Sequence, residues 1–271
     1  MNLRIFYRRL NEYYDGMKTY RAEWFLKDSL VEAKRQKHEE AVLIILNELG
    51  GFYRAMGRYS EAAPLFVDAI CTLRKLGLFH TENHATTLIN QATNYAVWGK
   101  TIDALELFEA ARLMFETLGI TIDFRIASLH NNMSIAYQDM GEYDKAVDHL
   151  QDAIAILEQL EDTQIEIATT YTNIAQCKYH DKSFDDAMKD VNKSIELFEE
   201  AGAFKDPHYA VALETKGHVC DKLGLYEESL DFYTKACELV GELYGEDHRG
   251  YQSLLFNVGK AQRKLKEKGK K

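Results

Sequence analysis

The chain has 271 residues, of which 46% are hydrophobic and 28% are charged, so it carries enough apolar material for an extended core. Its net charge of -10 argues against broad contact with nucleic acid, because phosphate binding depends on clustered Lys and Arg side chains. The sequence has neither an apolar run of about 18 residues nor a signal-peptide pattern, which predicts a cytoplasmic protein that does not contact a membrane.

The first predicted elements are two helices near residues 2–14 and 19–36, which form an atypical N-terminal pair over residues 1–37. They are apolar enough to pack, but they match the pattern of the later helices poorly. Terminal units of a repeat array are often atypical, since one of their faces meets water. We therefore predict that this pair caps the units that follow.

A repeat of 42 residues follows this pair. Its clearest marks are turn residues, which recur in steps of 42 apart from one step of 41: Gly57, Gly99, Gly141, Lys182 and Gly224. Each turn separates two helical patterns. We expect Gly99 to end a helix in the left-handed conformation and Thr101 to cap the next helix. At Lys182 the glycine is missing, so we expect any loosening of the array there.

Five full repeat units are predicted between about residues 43 and 243. Two patterns mark the starts of first helices within them: Thr163 with Glu166 is typical of a capping box, and Asp206 before Pro207 is typical of an N-cap.

The end of the array follows the same 42-residue step. Gly259 lies 42 residues after Gly217, which predicts a closing helix over about 248–266 and a basic, frayed tail over 267–271. The alternation typical of strands is absent, so the predicted fold class is all-α. We expect a right-handed α-solenoid of antiparallel helix pairs, with about 13 helices, as a single domain over residues 1–271.

The sequence segments around the turns resemble those of a known family. They share small, Tyr, Gly-x-Tyr, Ala, Phe and Ala positions, as in NYAVWGKTIDALELFEAA and AYQDMGEYDKAVDHLQDAI. This pattern resembles the tetratricopeptide repeat, whose standard unit has about 34 residues. The longer period is similar to the variety found in kinesin light chains and in many bacterial regulators. The resemblance covers nearly the whole chain.

Small residues recur where the backbones of paired helices must approach each other. In the first helix of each pair they are Gly50, Ala92, Ser134, Ala175, Gly217 and Gly259. A large side chain at these positions would push the helices apart. We therefore interpret them as packing positions without a functional role.

In such a stack the first helices line a concave groove, and asparagine recurs on them. The positions two residues before each small residue are Glu48, Asn90, Asn132, Asn173, Thr215 and Asn257. This frequency is unusual, because Asn is a mediocre helix former. We predict that a peptide binds the groove through eight residues: Asn47, Asn90, Asn131, Asn132, Gln138, Asn173, His180 and Asn257.

Two roles are open for these amides. In the first, they form a ladder that bonds the main chain of an extended peptide, as resembling members of the family do. In the second, each amide bonds to the next repeat or to water and supports the stack. The sequence alone does not choose between them.

The predicted function is a non-catalytic protein-protein interaction scaffold, a monomer or weak homodimer, with a protein or peptide partner in the groove and no cofactor. One alternative is the peptide-sensing regulatory domain of a bacterial signalling system. Such relatives carry an effector module before the repeats, whereas about 37 residues precede them here. The other alternative is a self-associating structural array.

Nothing in the sequence predicts catalytic residues or a metal site. His80 and His84 are four residues apart, but we expect His80 in the loop before its helix, and zinc needs further ligands. Other histidines, including His130 and His149, fall on different helices and are expected on the surface. The four cysteines stand singly and are expected to be reduced and buried.

Overall fold

The computed structural model describes residues 3–15 and 19–268. Within these residues the secondary structure comprises thirteen α-helices and no strand, which confirms the predicted all-α solenoid class and helix number. The helices in chain order are α1 Leu3–Asp15, α2 Thr19–Arg35, α3 Glu39–Ala55, α4 Tyr59–Lys75, α5 Glu82–Val97, α6 Thr101–Thr117, α7 Phe124–Asp139, α8 Tyr143–Leu157, α9 Gln164–His180, α10 Phe184–Glu200, α11 Pro207–Leu223, α12 Tyr226–Tyr244 and α13 Arg249–Lys268. Of the predicted basic tail, residues 269–271 lie outside the described residues.

The chain divides into two compact units, Met1–Thr121 and Ile122–Lys271. In the N-terminal unit α3 pairs with α4 and α5 pairs with α6, while α1 and α2 precede them. In the C-terminal unit the pairs are α7 with α8, α9 with α10 and α11 with α12, and α13 packs on α12. We call α3, α5, α7, α9, α11 and α13 the first helices, and α4, α6, α8, α10 and α12 the second helices.

The core of each unit is built from small residues and large apolar side chains on facing helices. Ala62, Ala104, Ala146 and Ala187 on the second helices are fully buried, as expected of packing positions. Aromatic rings such as Phe66 and Phe198 fill the space beside them. The cysteines are unpaired, and three of them are buried, but Cys71 is exposed, so the expectation of burial is wrong at that position.

The turn at Gly99 ends α5 as expected. Gly99 takes a φ of +80°, its N–H donates to the carbonyl of Ala96 at 3.0 Å, and the N–H of Lys100 donates to the carbonyl of Tyr95 at 2.9 Å. The cap of α6 differs from the expectation, because Thr101 is already its first residue and Lys100 is the N-cap.

The turn at Lys182 keeps the same geometry without a glycine. Lys182 takes a φ of +67° and donates its N–H to Tyr179 at 3.1 Å, and Ser183 donates to Lys178 at 2.8 Å. The ammonium of Lys178 also pairs with Asp190 of α10 at 2.6 Å. Lys182 therefore keeps the main-chain bonds of the glycine turns, and the pair of Lys178 with Asp190 adds a contact between α9 and α10. Loosening of the array at this turn stays a prediction.

The two predicted helix starts behave differently. Asp206 is an N-cap, since its carboxylate accepts from the N–H of His208 at 2.7 Å, and Pro207 is the first helical residue. Thr163 lies at the N-cap of α9, but its hydroxyl donates to the carbonyl of Leu157 at 2.7 Å and makes no capping bond. The capping-box prediction is wrong, because the hydroxyl instead ties the turn to the end of α8.

One carboxylate of α2 bonds to three side chains, two of which lie in the first repeat. Glu23 of α2 accepts from the ammonium of Lys27 at 2.7 Å, from the guanidinium of Arg58 at 2.9 Å and from the hydroxyl of Tyr53 at 3.0 Å. The Lys27 bond, with further help from Arg58 and Tyr53, lowers the pKa of Glu23 to about 2 against the opposing effect of burial. This cluster joins α2 to α3 and to the start of α4.

Candidate functional site

A cleft lies on the first helices of the N-terminal unit. It has a volume of about 470 Å³ and is lined by residues of α1, α3 and α5, among them Tyr7, Ile44, Asn47, Glu48 and Asn90. Burial raises the pKa of Glu48, partly opposed by a hydrogen bond from the hydroxyl of Tyr7. The surface of the cleft therefore combines amides, apolar side chains and a half-buried carboxyl group.

Three side chains in this cleft form a hydrogen-bonded group, which we call the N-terminal triad: Asn47, Thr87 and Asn90. Asn90 donates from Nδ2 to Oδ1 of Asn47 at 3.2 Å. Asn47 in turn donates from Nδ2 to Oγ1 of Thr87 at 3.4 Å and to the carbonyl of Leu43 at 3.1 Å. These bonds connect α3 with α5 across the packing of successive helix pairs.

The same arrangement occurs in the C-terminal unit as the C-terminal triad, Asn131, Thr170 and Asn173. Asn173 donates from Nδ2 to Oδ1 of Asn131 at 3.4 Å, and Asn131 donates to Oγ1 of Thr170 at 3.3 Å. All three residues line a cleft of about 230 Å³ on α7, α9 and α11. The predicted ladder residues Asn90 and Asn173 are therefore equivalent, and each is bonded to an asparagine one helix pair earlier.

The other predicted site residues lie at separate places on the first helices. Asn132 follows Asn131 on α7 and is half-buried, as is Gln138 in the last turn of that helix. Asn257 of α13 donates to Oε1 of Glu214 on α11 at 3.4 Å. His180 is exposed at the end of α9, and its ring stacks on that of Tyr143 at the start of α8, with centroids 5.8 Å apart.

Sequence reasoning missed the threonines of both triads. Thr87 and Thr170 are buried, and each lies three residues before its asparagine, in the pattern Thr-x-x-Asn. Residues three apart on a helix are neighbours on its surface, so this spacing was a readable signal. Arg54 was missed as well: its guanidinium donates to the main-chain carbonyl of Asn90 at 3.1 Å and joins α3 to α5.

His80 and His84, the two histidines four residues apart, contact each other. His80 lies before α5 with a φ of +61°, and its main-chain N–H donates to Nδ1 of His84 at 3.3 Å. Burial, followed by electrostatic interactions with His80 and Arg74, lowers the pKa of His84. By contrast, His130 is buried and faces His149, so the expectation that His130 lies on the surface is wrong.

Comparisons with known proteins indicate one family. Profiles of the tetratricopeptide repeat match residues 42–82, 125–200 and 210–239. Two similar proteins of Arabidopsis thaliana are Kinesin light chain-related 3, 22% identical over 227 residues, and Kinesin light chain-related 2, 24% identical over 226 residues. Each alignment covers 82% of this chain and 34% of the relative. The chain thus spans about a third of the length of the curated relatives it matches.

The fold is also similar to that of a solved structure, BtubC (BKLC) from P. vanneervenii. The TM-score is 0.72 at 18% sequence identity, and the alignment covers 84% of this chain and 92% of that chain. At this identity the likeness concerns the fold. Among the described residues, none of the helices combines the length and apolar character needed to cross a bilayer.

Proposed function

Because this chain belongs to the tetratricopeptide repeat family, in its kinesin-light-chain-like form, we propose that it is a cytoplasmic, non-catalytic scaffold that binds extended segments of a partner protein in the clefts on the first helices of each unit. The observation that carries this proposal is the repetition of one hydrogen-bonded triad in both units. The N-terminal and C-terminal triads share residue types, bonding pattern and position on the first helices.

We assign one of the two open roles, support of the stack or binding of a ligand, to each kind of asparagine in the triads. Asn47 and Asn131 use their amide groups within the protein, where each donates to a threonine and to a carbonyl of its own helix. They are positioning residues. Asn90 donates one N–H to Asn47, and Asn173 donates one N–H to Asn131. A carboxamide has two N–H donors and an oxygen with two lone pairs, so each keeps capacity for a peptide group.

A main chain in extended conformation presents alternating N–H and C=O groups, which an amide side chain can satisfy in pairs. The triad fixes the orientation of Asn90 and Asn173 before a ligand arrives, which reduces the entropy lost on binding. Apolar residues such as Ile44 and Ile165 line the clefts beside the amides, and Glu40 and Glu166 add carboxylates. We expect the bound segment to combine apolar side chains with Lys or Arg.

The experiment compares three forms of the chain in a selection of peptides from a displayed random library, followed by calorimetric titration of the selected peptides. The forms are the wild type, Asn90→Ala with Asn173→Ala, and the control Asn192→Ala. Asn192 is an exposed asparagine on the second helix α10. A peptide in either cleft loses one main-chain hydrogen bond in the double variant, worth about 1 kcal/mol, which predicts a drop in affinity of roughly fivefold. The control should bind like the wild type.

Circular dichroism of each form establishes that the variants are folded. A folded double variant that binds the selected peptides as tightly as the wild type does would contradict the role of the two asparagines. Failure of the wild type to select any peptide would contradict the proposal itself. Light scattering on the same samples separates the scaffold from the self-associating array, since the array predicts an oligomer that forms without peptide.

A further inference from the structure

The helix pair α7 and α8 brings together two imidazoles and a carboxylate. The Nδ1 atoms of His130 on α7 and His149 on α8 are 3.0 Å apart, and Nδ1 of His130 lies 3.6 Å from Oδ2 of Asp152. One donor atom of each residue lies within 4.8 Å of the other two. This cluster lies between the paired helices and is separate from the C-terminal triad.

The two histidines occupy positions that are mostly apolar elsewhere in the array. Steps of 42 or 41 residues place His130 in the series Leu46, Leu88, His130, Tyr171 and Leu213. The same steps place His149 in the series Leu65, Leu107, His149, Asp190 and Phe232. Leu46 and Leu65 belong to one hydrophobic cluster, and Leu213 and Phe232 belong to another. One helix pair thus has two imidazoles where the other pairs have mostly apolar residues, and the Nδ1 atoms of these imidazoles face each other.

The donor atoms have the spacing of a metal site. Tetrahedral zinc with ligands at about 2.0–2.2 Å holds neighbouring donors roughly 3.3 Å apart, close to the separations of His130 from His149 and Asp152. His149 and Asp152 are three residues apart on α8, so they project from the same face of that helix. His130 approaches them from α7. The ring of Tyr137 stacks on the ring of His149, with centroids 5.2 Å and planes 13° apart, which holds that ligand in orientation.

We propose that His130, His149 and Asp152 bind a divalent transition-metal ion of the zinc class. Two imidazole nitrogens and one carboxylate suit such an ion, whereas magnesium and calcium prefer oxygen ligands throughout. Asp152 supplies a path of entry, because its side chain is 63% exposed, whereas that of His130 is only 9% exposed. Three protein ligands leave a position for water, and the ion joins α7 to α8 at positions that are mostly apolar in the other helix pairs.

The test is a titration of tag-free, metal-stripped protein with zinc in competition with a chromophoric chelator, under reducing conditions. The wild type should take up one zinc ion per chain in preference to the chelator. His130→Leu with His149→Leu restores the residues found at the equivalent positions 88 and 107 and should remove this uptake while keeping the fold. Asp152→Asn alters an exposed side chain and should weaken zinc binding at least about tenfold. His208→Gln, at an exposed histidine of α11, is the matched control and should leave it unchanged.

Thermal unfolding gives a second readout, since an ion that binds the folded state raises the melting temperature. Zinc should raise it for the wild type and the control, but not for the double leucine variant. The proposal is overturned if the wild type fails to compete with the chelator, or if the double leucine variant takes up zinc as the wild type does. Equal affinities of wild type and Asp152→Asn would remove Asp152 from the ligand set.

Discussion

Gly50 of α3 lies so close to the ring of Phe66 on α4 that a β-carbon at Gly50 would be 2.6 Å from Cζ of that ring. Gly217 of α11 has the same relationship to Tyr233 of α12, at 2.7 Å. In both pairs the backbone of a first helix rests directly on an aromatic ring of its second helix. At Gly259 of α13, by contrast, no described atom lies within 4 Å of the added carbon.

Gly50→Ala and Gly259→Ala should therefore change stability in opposite directions. At Gly50 the new methyl group forces the ring of Phe66 to move, which should lower the free energy of unfolding by about 1–3 kcal/mol. At Gly259 the methyl group meets open space and alanine favours the helix, so the free energy of unfolding should rise by up to about 1 kcal/mol. Urea unfolding followed by circular dichroism measures both, and destabilisation by both substitutions would contradict the difference in packing.

Lys182→Gly should stabilise the protein. Lysine at a φ of +67° bears a steric cost that glycine does not, so the substitution should raise the free energy of unfolding by about 1 kcal/mol. The reverse substitution Gly141→Lys, at the equivalent turn with a φ of +74°, should lower it by a similar amount. Equilibrium unfolding of the two variants checks the pair, and a stabilising Gly141→Lys would show that the turns differ in more than backbone strain.

Thr170→Val should cost more than the neighbouring substitution Thr169→Val. The hydroxyl of Thr170 is buried and bonds with Asn131, whereas that of Thr169 donates to the carbonyl of Ile165 on its own helix. Loss of the bond between helices should lower the free energy of unfolding by about 1 kcal/mol, and Thr169→Val should stay within about 0.5 kcal/mol of the wild type. Equal losses in urea unfolding would mean that the bond to Asn131 adds nothing to stability.

Glu23→Gln should weaken the protein in a pH-dependent way. The pKa of Glu23 falls from its ordinary 4.5 to about 2 in the folded state, so its stabilising contribution is complete above pH 4.5. That contribution is lost as the pH falls from 4.5 to about 2. At pH 7 the variant should lose about 2 kcal/mol of unfolding free energy, and the difference from the wild type should shrink over that acid range. Asp28→Asn, on the same helix, is the control, and a deficit for Glu23→Gln that persists unchanged at pH 2 would contradict the assignment.

The period of the sequence was sufficient to predict the helical class, the helix number and the turn at Gly99, because these depend on local spacing and backbone freedom. The helix start at Asp206 was readable for the same reason. The capping box at Thr163 was predicted wrongly, because the hydroxyl donates to the carbonyl of Leu157 and does not cap α9. Lys182 keeps the turn without a glycine, because its main-chain hydrogen bonds outweigh a modest conformational cost.

The candidate sites were only partly predictable. The recurrence of asparagine identified Asn90 and Asn173, but the bonding partner of each depends on how two helices are rotated against each other. The period of the sequence repeat does not determine that rotation. The pairing of His130 with His149 has the same origin, since 19 residues and a turn separate them. Comparison of equivalent positions across repeats would have shown both histidines, and also Asp190, as departures from mostly apolar positions.

Each triad joins two successive helix pairs by bonds that neither pair possesses alone. The stability of a repeat array is approximately a sum of the intrinsic stabilities of its units and the terms between neighbours. The hydrogen bonds that link Asn131 with Thr170 and Asn173 contribute to the terms between neighbouring units. We therefore expect the slowest amide protons of α7 and α9 to share one opening free energy in native-state hydrogen exchange, so that these helices exchange as a single cooperative block.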